Sequence, residues 1–163
     1  MIAENEIQVQ ADILTLIQDA VRETTNELLE KLKDYIEEDV YDVYDDVYKP
    51  LWYERTRGMI DCWEITEPEL INGEIVSTIQ YNDELFHRTS WSENSWQHND
   101  NIDIDGLIGV ITTDYEVGDI NGFPSNETIG RGNFWADFTQ YVKDNKDEIL
   151  RKNLAKRGLN LGI

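Results

Sequence analysis

The chain is poor in several residue types, and each scarcity excludes something. It holds one cysteine, Cys62, so no disulfide can close within it, and with only two histidines no zinc site can rest on that thiol. A reducing, cytoplasmic origin fits. The first 49 residues contain neither proline nor glycine, which leaves a long helix free to run. No apolar run approaches the roughly 18 residues of a membrane helix. Met1 to Ile7 has neither a basic start nor an apolar stretch, so no secretory signal is expected. Positive charge is scarce as well: 14 basic residues stand against 34 acidic ones, a net of -20. Such a field opposes binding to nucleic-acid phosphates and to anionic lipid. What remains is a chain of 163 residues, 40 % apolar and 10 % aromatic, which is enough for one domain with its own core. A single domain over residues 1–163 is expected.

The charge is uneven along that chain. Residues 143–163 carry six basic and three acidic residues, and residues 1–142 carry eight basic and 31 acidic ones. The densest acidic stretch runs from Asp34 to Asp46. Residues 9–48 read as one long helix, with Val40 as the place where it would break. Leu14, Ile17, Val21, Leu28, Leu32 and Tyr35 recur at helical spacing on one stripe, which Ile13, Leu16 and Ala20 widen. About 30 helical residues would reach ~45 Å. That exceeds a small domain, so part of the helix is expected to protrude or to pack on another subunit.

Residues 60–132 read as a β region with long loops. Residues 62–66 form a candidate strand, and 69–81 a hairpin turning at Asn72-Gly73. A polar loop from Phe86 to Asp105 and a second β stretch from Gly106 to Val117 follow, then a glycine-rich loop to Gly132. Residues 133–157 read as an amphipathic helix capped by Asn133 and ended by Gly158, its cations near the C-terminus where the helix dipole favours them. The fold expected is α+β: a long N-terminal helix, a small mostly antiparallel sheet with long loops, and a C-terminal amphipathic helix.

Candidates for chemistry are weak. Cys62, His87 and His98 could furnish a nucleophile and a base, but Cys62 lies in a strand with no glycine elbow beside it. Asn101-Ile-Asp-Ile-Asp-Gly106 imitates the opening of a calcium loop, yet Thr112 stands where the bidentate glutamate belongs. With 34 acids, carboxylate pairs occur by chance, so they do not single out a glycosidase. Gly130-Arg-Gly132 is too short to cradle phosphate. Trp91 and Trp96 could stack on bases or sugars, or pin a loop to the body or to a neighbour. No catalytic residue, metal or cofactor is expected.

Two stretches carry a resemblance. One is Val40-Tyr-Asp-Val-Tyr44 followed by Tyr53-Glu-Arg-Thr-Arg-Gly-Met-Ile-Asp-Cys-Trp63. The other is Asn133-Phe-Trp135, an amphipathic helix, and Leu154-Ala-Lys-Arg-Gly-Leu159. With the acidic N-terminal helix, they resemble the head–tail joining, or tail-completion, proteins of tailed bacteriophages. Tyr53, Arg55, Thr56, Gly58 and Trp63 match that family's block. Arg57 departs from it by separating Thr56 from Gly58, Asp61-Cys62 replaces small polar residues, and residues 83–132 are largely unmatched. The resemblance implies a non-enzymatic ring subunit in the virion neck, made in the bacterial cytoplasm. Its implied partners are further copies of itself, head–tail connector proteins and tail tube proteins, with DNA passing nearby but not specifically bound and no membrane contact. A tail terminator capping the tube is the nearest alternative. Leu14, Val21, Leu28, Trp91, Trp96, Lys152, Lys156 and Arg157 are then the candidate subunit contacts, the basic C-terminal helix complementing an acidic helix of the adjacent copy. Two other classes compete: an acidic protein that mimics DNA to inhibit a nucleic-acid enzyme, and a hydrolase using scattered carboxylates.

Overall fold

A computed structural model describes residues 2–42, 58–82 and 133–160. The order is helix α1 (Ile2–Ile36), a π-helical stretch (Glu37–Asp42), a short helix α2 (Gly58–Asp61), strands β1 (Trp63–Ile65), β2 (Glu69–Ile71), β3 (Glu74–Val76) and β4 (Ile79–Tyr81), and helix α3 (Phe134–Ala155). This is the expected α+β class, with a long first helix, a small antiparallel β region and a last helix.

Helix α1 starts earlier than residue 9, at Ile2, and is about 50 Å long at 1.5 Å per residue. Its first residues lack apolar periodicity, but glutamate there suits the helix dipole and glutamine is a good helix former. The expected break near Val40 takes the form of wider winding from Glu37 to Asp42, with Val40 on its buried side; residues 43–48 lie outside the described residues. The buried positions Ala20, Thr24, Leu28, Leu32, Ile36 and Val40 recur every four residues. A spacing of four overshoots the 3.6-residue turn, so the buried line winds about 40° around the helix at each step. Thr24 on this line and Thr25 beside it are buried with their hydroxyls satisfied, each donating to the carbonyl one turn back, at Ala20 (2.8 Å) and Val21 (2.9 Å).

The contacts gather into two compact units. The first takes Met1–Lys31, Glu64–Gln80 and Gln140–Ile163, the second Leu32–Trp63 and Tyr81–Thr139. The described core of the first is Ala20, Leu28, Leu29 and Leu154, with Thr24, Thr25 and Asn153 among them. That of the second is Leu32, Ile36, Val40, Met59, Ile60, Cys62, Trp63, Phe134 and Phe138.

The strands form two antiparallel ladders, β1 with β4 and β2 with β3. Backbone bonds from Asn82 N to Cys62 O (2.7 Å) and from Thr66 N to Thr78 O (2.9 Å) fix the first register. The second pairs Glu69 with Val76 and Ile71 with Glu74. The registers differ by one residue: Glu67 and Pro68 stand opposite Ser77 alone. Pro68 has no N–H to give to a ladder, and the extra residue is a β-bulge. Thr66 and Ser77 clamp it, the Ser77 hydroxyl donating to Thr66 O (2.8 Å) and Thr78 N–H to Thr66 Oγ1 (2.9 Å). Beyond the bulge, Asn72 (φ 53°) and Gly73 (φ 88°) make the expected two-residue turn, whose twist matches that of the strands.

Helix α3 opens as its sequence predicts. Asn133 caps it, its Oδ1 accepting from Ala136 N–H (3.0 Å). It closes with Gly158 at φ 76°, where Leu159 N–H reaches Leu154 O and Gly158 N–H reaches Ala155 O, both at 3.0 Å. These two bonds satisfy carbonyls that the helix leaves over.

Candidate functional site

In the first unit, α1 and α3 run antiparallel along a polar seam. Arg157 Nη2 pairs with Glu23 Oε2 at 2.7 Å, Lys156 pairs with Glu23 Oε1, and Lys152 Nζ lies 3.3 Å from Glu27 Oε2. Hydrogen bonds first from Lys156 and then from Arg157 hold the Glu23 carboxyl below its ordinary pKa. Asn153, fully buried, donates from Nδ2 to Thr24 Oγ1 and to Glu27 Oε1, both at 3.1 Å. Its Oδ1 accepts nothing. Lys31 Nζ lies 6.0 Å from the centre of the Tyr141 ring.

The same unit carries the hairpin arm. Arg22 anchors its root, reaching Glu67 Oε2 with Nε (2.9 Å) and Nη2 (2.7 Å) while Nη1 meets Asp19 at 2.5 Å. Gln18 Nε2 donates to Pro68 O at 3.1 Å. Past this anchor the arm is bare: Leu70 is 54 % exposed, Ile71 47 % and Val76 38 %. Cross-strand partners share a face, so Ile71 and Val76 lie on one side of the arm and Leu70, paired with Ile75, on the other. Val9 and Ile13 on α1 are also exposed.

The second unit contains a ring cluster and one uncomfortable acid. Trp63 is buried and stacks on Trp135 with centroids 5.8 Å apart, and Tyr81 meets Trp63 edge-on at 6.0 Å. Trp135 also leans on Phe138, while its outer surface stays open. The indole N–H of Trp63 has no acceptor. Asp39, in the π-helical stretch, has one buried oxygen without a donor. Burial, then repulsion from Asp137 and from Glu38, raises its pKa above the ordinary aspartate value.

The residues singled out from sequence scatter. Gly58 begins α2, and Trp63 is a core residue of the second unit. Tyr53, Arg55, Thr56, Trp91, Trp96, His87, His98 and the Asn101–Gly106 turn lie outside the described residues. Leu28 is buried, and Leu14 and Val21 are half-buried. Lys152, Lys156 and Arg157, expected to meet an acidic helix of another copy, meet α1 of their own chain. Cys62 is buried, its thiol 3.4 Å from Met59 O. Among the described residues no three His, Cys, Asp or Glu side chains gather to hold a metal ion. The sequence reading missed the bare arm, although Leu70-Ile71 beside Asn72-Gly73 was its visible signal. It also missed the Asn153–Thr24 pair, whose partners are 129 residues apart.

In comparisons with protein-family models, with curated proteins and with solved structures, nothing matches the chain. Among the described residues the arrangement offers surfaces and anchors. No helix among the described residues is long and apolar enough to cross a membrane.

Proposed function

We propose that the chain is a non-catalytic virion subunit of a tailed phage, which forms a ring at the neck, completes the tail and joins it to the head. The observation that carries this reading is the β2–β3 arm with apolar side chains exposed on both faces. A two-stranded arm is marginal by itself in water. Leu70, Ile71 and Val76 gain stabilisation only where another molecule covers them, at roughly 25 cal/mol for each Å² of apolar surface removed from water. Rigid anchoring by Arg22 and Gln18 suits an arm that presents a fixed surface. The sequence resemblance supplies the setting: Tyr53, Arg55, Thr56, Gly58 and Trp63, the long helix and the basic C-terminus are its parts. Rings close through heterologous contacts, which need two different patches on one chain. The acidic body also suits a passage for DNA, since carboxylates repel phosphates and let the duplex slide.

The test is the mass of the protein, purified and within particles. A closed oligomer in both is expected. A monomer in solution and in the virion overturns the reading. Co-purification with a nuclease or a transcription enzyme in place of tail proteins overturns it in favour of a DNA mimic.

A further inference from the structure

The arm has a charge as well as an apolar surface. From Gly58 to Phe86 the chain contains no lysine or arginine, and the arm itself carries Glu69 and Glu74. Both are exposed, and neither pairs with a cation among the described residues. Two arms brought edge to edge would oppose acid to acid, which disfavours a twofold contact between them. In a two-residue hairpin the residues beside the loop exchange both backbone bonds with each other. Here these are Ile71 and Glu74, so Leu70 and Ile75 turn their N–H and C=O groups outward along the two edges. The arm thus asks for a partner that is basic, partly apolar and able to donate hydrogen bonds.

One such surface exists on the same chain. On α3, Lys143, Lys146 and Leu150 stand at i, i+3 and i+7, a single stripe, with Arg151 beside it. Lys143, Lys146 and Arg151 are exposed and pair with no carboxylate among the described residues, unlike Lys152, Lys156 and Arg157. Leu150 is half-buried between them, and Asp147 is the one acid on the stripe. In a chain of net charge -20, three cations around a leucine with no carboxylate partner among the described residues are a complement to an acidic apolar arm.

We propose that the β2–β3 arm of each copy docks on the Lys143–Lys146–Arg151 face of α3 in the next copy, a head-to-tail contact. This rests on the ring reading above and names its two faces. Leu70 or Ile71 would cover Leu150, and the lysine ammonium groups would meet Glu69, Glu74 and the outward carbonyls.

Mixed chains, each with one added surface cysteine, test it. Val76→Cys in one preparation and Lys146→Cys in another are combined and mildly oxidised, and sedimentation of the parent chain is measured beside them. Buried Cys62 stays in place in both. Cross-linked pairs in the mixture, and none in either preparation alone, are expected. Glu69→Lys with Glu74→Lys should weaken assembly at least about tenfold, because like charges then face each other. Adding Lys143→Glu and Lys146→Glu should restore it. Circular dichroism checks that each variant is folded. Assembly of the parent chain without the mixed cross-link, or without restoration, overturns the docking while leaving the ring. A parent chain that sediments as a monomer at every concentration overturns both.

Discussion

At the scale of residues, a buried amide and a half-buried acid set the sharpest expectations. Asn153 fills the seam between α1 and α3 with its amide nitrogen satisfied and its oxygen orphaned. Truncation to alanine removes two bonds and opens a cavity, so Asn153→Ala should lower stability by about 1–3 kcal/mol in urea unfolding. Asn153→Leu refills the space and deletes the orphan but still removes both donated bonds, so it should recover only part of that loss. Asp39 behaves oppositely to Glu23. Its folded pKa is raised, so the fold prefers its neutral form, and the stability this gives is present at low pH and lost as the pH rises through the raised value. Asp39→Asn should therefore stabilise the protein at neutral pH, and the gain should fade as the pH falls below the ordinary aspartate value. Denaturant midpoints measured across that range check it. Glu23 carries the reverse sign: its pKa is lowered, and its contribution disappears as the pH falls through the lowered value. Neither Asn153 nor Asp39 is legible from sequence. Their environments are made by residues such as Thr24 and Asp137 that lie far away along the chain, and spacing along one helix says nothing of them.

At the scale of elements, the ends are legible and the middles less so. Asn133, Gly158 and Asn72-Gly73 mark their elements by local chemistry: a side chain that accepts from the first turn, and backbones that take positive φ. Asn133→Ala should cost about 0.5–2 kcal/mol. Gly158→Ala should cost about 1–2 kcal/mol through its left-handed backbone, even though space around it is open. Thermal unfolding of each variant measures both. The passage of α1 into π winding comes at Glu37, close to the break expected near Val40, and the buried spacing of four runs on through it to Val40. The bulge at Pro68 shifts the faces of β2. Counted along an unbroken strand from Trp63 and Ile65, Ile71 falls on the inward side, yet the extra residue brings Leu70 there instead. Because Leu70 and Ile71 are adjacent, apolar groups lie on both faces of the arm, and the bulge decides only which face each takes.

At the scale of the whole molecule, the net charge of -20 is only partly neutralised within the chain. The basic end of α3 divides its work. Lys152, Lys156 and Arg157 hold α1, while Lys143, Lys146 and Arg151 pair with no carboxylate among the described residues. The sequence displayed this cluster as a block, and only the structure separates its two halves, since a helix turns successive residues to different sides. An assembly held by such exposed charges should weaken as salt rises from low ionic strength to about 0.15 M, where the screening length shortens to about 8 Å. Sedimentation at two salt concentrations measures this. The reading of the chain as a neck subunit meets its most direct test in electron microscopy of particles made without it. The account predicts filled heads and complete tails accumulating apart. Intact, joined particles of normal tail length would contradict it.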